Sequence, residues 1–323
     1  MSARTRELIK KLQPLIALVV LVIALSLLSD KFLTFANQRN ILLQISVNLC
    51  VSIGMTLIIL TGGIDLSVGA VLALTGAVAA GLLKNGMALK FFGAALQFTA
   101  FGAIVAGIVV GLAFGWFNGI AITRFRLPPF VATLGTLSIA RGFTMLWTGG
   151  FPITDLGPKF GFIGVGFWLR VPMAVWITAA LVVIFHIVSR QTTLGRYIYA
   201  VGGNERATRF SGINVNRVKL RVYALGGGLA AVAGLIVTAR LDAADPNAGF
   251  GYELDSIAAV VIGGASLSGG RGSILGTVLG CLIIGVLNNG LFLLDVSPFW
   301  QQVVKGFVIL AAVAADKIGT KAE

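Results

Sequence analysis

An aspartate and a serine two residues apart, Asp65 and Ser67, interrupt apolar sequence in the stretch Gly62-Gly63-Ile64-Asp65-Leu66-Ser67-Val68-Gly69. A carboxylate at bilayer depth costs about 2.5–3.5 kcal/mol on insertion scales, so it takes a partner or faces water. Two uses are open to this pair: capping or anchoring the helix that follows, or contacting a solute pathway or its gate. Four amides, Asn48, Asn118, Asn288 and Asn289, fall in other apolar runs. An amide there either bonds a neighbouring helix or lines a route for a polar solute. Arg141 and Lys305 are cations within apolar runs. Lys305 lies near enough to an end to snorkel, whereas Arg141 is deeper and is expected to face the protein interior.

Other chemistry is excluded by what the chain lacks. Its one histidine, His186, reads as structural, and Cys50 and Cys281 both sit in apolar runs. Neither a disulfide framework nor a metal site is expected. The glycine-rich run Gly269-Gly270-Arg271-Gly272-Ser273 lacks the lysine of a phosphate-binding loop, so the chain is not expected to bind nucleotide or hydrolyse ATP alone. The polar residues in the spans form no Asp/Glu/His relay for moving protons.

One segment offers a handle instead of chemistry. Residues 189–221 carry seven Lys/Arg against one Glu between apolar runs on both sides. Short cytoplasmic loops are enriched in Lys/Arg, which puts this island inside the cell. It contains its own helix punctuation: Asn204 as N-cap, Glu205 in the electropositive first turn, and Gly212 as a stop. A capped surface helix at the membrane face is a grip for another protein.

The elements that hold these residues are membrane helices. Hydrophobic residues make up 57% of the 323-residue chain and charged residues 11%, with a mean hydropathy of +0.95. A soluble domain carries roughly 25% charged residues, so this is an integral membrane protein. An all-α fold of ten spans is expected, near 13–29, 41–61, 66–84, 92–122, 129–148, 172–189, 222–239, 256–269, 274–294 and 299–316. The basic N-terminal residues are followed by an apolar run without a small-residue cleavage site, so a retained first span is expected.

Charge supports this count with both termini inside. The inner segments hold Arg4, Arg6, Lys10, Lys11, Arg124, Arg126, the seven of the island, Arg271, Lys317 and Lys321. The outer segments hold Lys31, Arg39, Lys84, Lys90, Lys159, Arg170 and Arg240, while Asp242, Asp245, Glu253 and Asp255 share one outer loop. The net charge of +13 therefore reflects orientation and anionic lipid, not nucleic acid. Gly107, Gly111, Gly115 and Gly119 line one face of the fourth span, and Gly272, Gly276 and Gly280 line one in the ninth. Such faces let helices pack closely within a subunit, or form a subunit interface or pore wall. The pattern GGxxLS occurs at 62–67 and again at 263–268, a hint of duplicated halves.

Three stretches carry a family resemblance: 54–81 (GMTLIILTGGIDLSVGAVLALTGAVAAG), 192–219 (TTLGRYIYAVGGNERATRFSGINVNRVK) and 251–277 (GYELDSIAAVVIGGASLSGGRGSILGT). The chain resembles the bacterial ATP-binding-cassette sugar-importer permeases of the ribose, xylose and galactose class, from about residue 12 to 316. The resemblance implies a single permease domain, 1–323, in the bacterial inner membrane, carrying a monosaccharide, with ribose the expected sugar. It also implies a second permease copy, two cytoplasmic ATPase subunits that hold the ATP and Mg, and a periplasmic sugar-binding protein. Residues Gly203, Asn204, Glu205, Arg206, Ala207, Thr208, Arg209, Phe210, Ser211, Gly212 and Ile213 would be the coupling helix docked in the ATPase. The acidic loop 241–255, through Asp242, Asp245, Glu253 and Asp255, is the candidate contact for the binding protein. The alternatives are a stand-alone secondary transporter, which would need its own ion-coupling residues, and a membrane-embedded enzyme.

Overall fold

The computed structural model describes residues 3–89 and 94–321. The chain begins with α1 (Ala3–Leu28), α2 (Phe35–Leu60) and α3 (Val68–Asn85), followed by α4 (Ala100–Thr123) and α5 (Pro129–Thr148). A short α6 (Pro158–Val165) precedes α7 (Met173–Gln191), which runs into the small helices α8 (Thr193–Gly203) and α9 (Glu205–Phe210). Then come α10 (Val215–Leu241), the brief α11 (Tyr252–Ile262), α12 (Ile274–Leu293) and α13 (Pro298–Lys321). Six strands of two or three residues tie the loops: β1 (Met87–Leu89), β2 (Ala94–Leu96), β3 (Ile153–Thr154), β4 (Phe167–Trp168), β5 (Val171–Pro172) and β6 (Ala243–Ala244). They pair antiparallel as β1–β2, β3–β6 and β4–β5. Lys90, one of the expected outer charges, lies outside the described residues, as do the side chains of Arg4, Arg6, Lys10, Lys11, Lys317 and Lys321.

The architecture is that of an all-α polytopic membrane protein. Among the described residues seven helices are long and apolar enough to cross a bilayer: α2, α3, α4, α5, α7, α10 and α12. Each of the ten expected runs holds a helix, but the eighth is corrected. Its helix, α11, stops at Ile262 after 11 residues, a rise of about 16 Å against a hydrocarbon core of about 30 Å. The adjacent glycines Gly263 and Gly264 end it, and Gly264 has φ +87, a left-handed conformation that a side chain resists. Residues 263–273 then return as a loop to α12.

Helix starts follow side-chain chemistry. The hydroxyls of Thr34, Thr99, Thr192 and Ser273 accept from the backbone N–H groups of Asn37, Gly102, Gly195 and Gly276, opening α2, α4, α8 and α12. Each satisfies one of the donors that a helix N-terminus leaves unpaired.

Three helices form the interior. In the spanning windows of α2 and α3 78% of residues are buried, and in α10 72%, against 22–28% for α4, α5 and α7. The outer three turn apolar side chains such as Phe101, Val109, Phe130, Phe143 and Val183 outward, as lipid requires. The glycine face of α4 seats on α10. A Cβ on Gly111 would lie 2.5 Å from the carbonyl oxygen of Gly227, and Gly107, Gly115 and Gly119 meet Leu235, Tyr223 and Leu220. Its role is packing within the subunit. The second series is partly corrected: Gly276 and Gly280 seat α12 on Gly263 and Ala259, but Gly272 lies in the loop before α12.

The two GGxxLS segments hold matching places. Each follows the end of a helix, α2 or α11, and leads towards the next, and the two loops touch. The Gly270 N–H donates to the carbonyl of Leu60 at 3.0 Å, and a Cβ on Gly62 would stand 3.8 Å from the carbonyl oxygen of Ser268.

Candidate functional site

The expected handle is a helix with the expected ends. Asn204 is the N-cap of α9, its Oδ1 accepting from the Ala207 N–H at 2.9 Å. The Thr208 hydroxyl, the one buried side chain of α9, donates to the carbonyls of Ala200 and Asn204, both at 2.8 Å. Gly212 at φ +80 turns the chain, with Ser211 at the C-cap, and Ile213 donates its N–H back to Thr208. Glu205 accepts from Arg209 Nη2 at 3.0 Å and from Lys219 Nζ at 2.8 Å, which ties α9 to α10. The hydrogen bond from Lys219 is the main reason its carboxyl is held below the usual carboxylate range, with Arg209 adding to it. Gly203, Asn204, Arg206, Ala207, Arg209, Phe210, Ser211 and Gly212 are exposed, and the Phe210 ring is 91% so. The ring thus stands bare among the exposed cations Arg206 and Arg209.

Beneath the platform α8 is fixed to the transmembrane bundle. The Tyr199 hydroxyl donates to the Gly272 carbonyl at 2.9 Å. A Cβ on Gly202 would overlap both the Leu60 carbonyl oxygen and the Gly270 nitrogen, so backbone meets backbone there. These contacts join α8 to the end of α2 and to the α11–α12 loop.

The residues expected to serve a pathway separate into two kinds. Asp65, Ser67 and Asn118 are buried together, each 1% exposed or less. Asp65 Oδ1 accepts from the Ser67 N–H at 2.8 Å and from its hydroxyl at 2.6 Å, and Asn118 Nδ2 donates to Ser67 Oγ at 2.9 Å. Ser67 holds the N-cap position of α3, but its hydroxyl turns back to Asp65 instead of capping. This cluster anchors α4 to the start of α3. Asn289 is similarly spent: its amide and that of Asn37 exchange hydrogen bonds at 2.9 and 2.8 Å, joining α12 to α2.

Asn48 and Asn288 differ. With Asp255, Lys305, Gln301 and Tyr252 they line a cavity of about 280 Å³ between α2, α10, α11, α12 and α13. Here Lys305 Nζ donates to Asp255 Oδ2 at 2.9 Å. That corrects two expectations, since Lys305 does not snorkel and the buried Asp255 is not part of an outward acidic surface. Of the remaining acids, Asp242 accepts from the Leu156 N–H and Asp245 from the Asn247 N–H, each shaping a loop, and Glu253 is half-buried. Arg141 does face inward, donating from Nη1 to the carbonyls of Pro246 and Ala248 at 2.5 and 3.0 Å. It secures the loop that the acids occupy. Sequence reasoning missed Tyr252, Gln301 and Lys305 as neighbours of Asn48, because no local pattern joins positions so far apart.

Comparison with known proteins gives a consistent result. Residues 37–313 match the family described as the permease component of the branched-chain amino acid transport system. The chain is 48% identical over 316 residues to the ribose import permease protein RbsC of Escherichia coli strain K12, covering 97% of this chain and 95% of that one. It is 48% identical over 310 residues to the RbsC protein of Bacillus subtilis strain 168, covering 95% and 93%. It is 40% identical over 313 residues to the D-allose transport system permease protein AlsC of Escherichia coli strain K12, covering 95% and 91%.

Proposed function

The chain belongs to this family of transport-system permease components, and we propose that it is the membrane subunit of an ATP-binding-cassette importer for ribose. It is a multi-pass protein of the inner membrane. The observation that carries the substrate is the 48% identity to ribose import permeases over nearly the whole chain, against 40% to the D-allose permease. The amino-acid wording of the family description is outweighed by relatives whose names all refer to sugars.

In this reading ATP is bound and hydrolysed on separate cytoplasmic subunits, and α9 is the helix they grip. Phe210 enters a pocket of the ATPase, while Arg206 and Arg209 meet acidic residues around it. Closure of the ATPase pair pulls α9. The backbone contacts of Gly202 with Leu60 and Gly270 pass that pull to α2 and to the α11–α12 loop, switching the permease between outward- and inward-facing packings. A second copy of this chain completes the pathway, and a periplasmic sugar-binding protein delivers ribose to the face opposite α9. Such a protein supplies most of the selectivity, so the permease needs hydroxyl-compatible walls more than a tight pocket.

Cells lacking their own ribose permease provide the test. With the chain present they should accumulate labelled ribose, and the ATPase should co-purify. Glu205→Arg and Arg209→Glu should abolish both while the permease remains in the membrane. Uptake that persists without any ATPase subunit would replace this reading with a stand-alone transporter.

A further inference from the structure

Among the described residues, three of the cavities compare as places for a solute to rest, and their chemistry separates them. One of about 330 Å³, walled by Leu74, Val78, Phe114, Phe143 and Trp147, offers a sugar almost no hydrogen-bonding group and suits a lipid chain. One of about 1070 Å³ lies beside α9 among Arg124, Arg126, Arg209 and Lys219, where the ATPase is expected to sit. The third is the cavity of about 280 Å³ at Asn48 and Asn288. Its volume falls at the lower end for ligand pockets, enough for one monosaccharide and little more.

Several groups in it keep hydrogen-bonding capacity, although the Gln301 amide is spent on the Val296 carbonyl. Asn288 Oδ1 is buried with no hydrogen-bond partner, which is costly unless something polar occupies the space. Lys305 uses one of its three donors on Asp255, and the carboxylate has capacity for further donors. Asn48 receives only a 3.5 Å contact from the Ser52 hydroxyl. Vicinal hydroxyls both donate and accept, so the Asp255 carboxylate, the cations of Lys305 and Arg240 and the amides of Asn48, Asn288 and Gln301 around one space offer a polyol both acceptors and donors. Asn48 lies near the middle of α2, whereas Asp255 and Lys305 sit in the early turns of α11 and α13. The cavity thus leads inward from the end of the bundle opposite α9.

Building on the importer reading, we infer that this cavity is a station at which the permease itself holds one sugar, bound through Asn48, Asn288 and the Asp255–Lys305 pair. Without a polar occupant the buried Asn288 Oδ1 is left without a partner.

The test uses the whole importer in membrane vesicles, with ribose uptake and ATP hydrolysis stimulated by the binding protein measured together. Asn48→Leu and Asn288→Leu should each lower maximal ribose uptake at least tenfold while stimulated hydrolysis stays within twofold, because the motor and its contacts are untouched. Should Asn288→Leu fail to assemble, Asn288→Cys in a chain with Cys50 and Cys281 replaced gives a second measurement. Modification of the introduced thiol by a small reagent should slow several-fold in ribose and not in leucine. Wild-type uptake of ribose with undiminished uptake in both leucine variants, or an introduced thiol that ribose does not protect, overturns the station and leaves the importer intact. A wild-type importer that moves no ribose overturns the importer reading, and the sugar station with it.

Discussion

Two buried carboxylates, Asp65 and Asp255, sit in the same helical bundle and have opposite surroundings. Asp65 is enclosed by a backbone N–H, a hydroxyl and an amide, none of them charged, and both its oxygens are engaged, although the Asn118 Oδ1 beside them has no partner. Asp255 faces a lysine and opens on a cavity in which the Asn288 Oδ1 lacks a partner. The difference shows that a polar residue inside a span declares its role through what its hydrogen bonds have left over. Where the carboxylate's own oxygens are matched by its neighbours, the group is a fastener. Where capacity remains and space adjoins it, the group is available to a solute.

The largest expected effect attacks the fastener. Asp65→Leu strands the Ser67 N–H and the Ser67 hydroxyl together, and each buried unpaired group costs about 1–3 kcal/mol. A loss of roughly 3 kcal/mol or more should appear as a lower melting temperature in detergent and a smaller membrane pool. A variant as stable as wild type would mean that the cluster is not a fastener at all.

Asp255→Ala should cost less, about 1–3 kcal/mol, because Lys305 is 27% exposed and the cavity admits water to it. The double variant Asp255→Ala with Lys305→Ala should regain most of that stability, yet transport little ribose. Failure of the second change to rescue the first would show that the two charges are not coupled.

The neighbouring amides sharpen the contrast at smaller scale. Asn289→Leu leaves the Asn37 Oδ1 unpaired, its Nδ2 keeping the Phe32 carbonyl, and should destabilise by about 1–2 kcal/mol, whereas Asn288→Leu should shift stability by less than about 0.5 kcal/mol. Thermal unfolding of the two variants side by side would decide it, and equal losses would erase the distinction between matched and unmatched groups.

The smallest effect concerns Glu205. Its carboxyl is lowered in the folded protein, so its contribution is present above the unfolded-state pKa and is lost as pH falls through the folded one. With the side chain 42% exposed, the contribution is below about 1 kcal/mol. Amide exchange in α9 should accelerate on acidification below the ordinary glutamate range, and Glu205→Gln should remove that response.

Much of this was legible along the chain. Asn204, Glu205 and Gly212 punctuate α9 as their residue types require, because capping is local. The spacing of Gly107, Gly111, Gly115 and Gly119 identified a packing face, although only the structure shows that α10 fills it. The glycine pair after Ile262 was visible as an interruption, yet a span was expected there because apolar residues resume beyond it. The amides were illegible for a different reason. Asn288 and Asn289 are adjacent in sequence, but a helix turns them to different neighbours, and the partner of Asn289 is 252 residues away. Lys305 misled similarly, since snorkelling is the default for a lysine near a helix end only when no carboxylate waits inside.

The contact of Gly202 with Leu60 and Gly270 has a mechanical meaning. Side chains interposed between moving parts behave as springs: they change rotamer, absorb part of a displacement and return it late. Two backbones in direct contact have almost no such compliance. In the importer reading, a stroke applied at α9 passes through this contact to the end of α2 and the α11–α12 loop with little loss, and a single methyl group placed at Gly202 would act as a wedge between them.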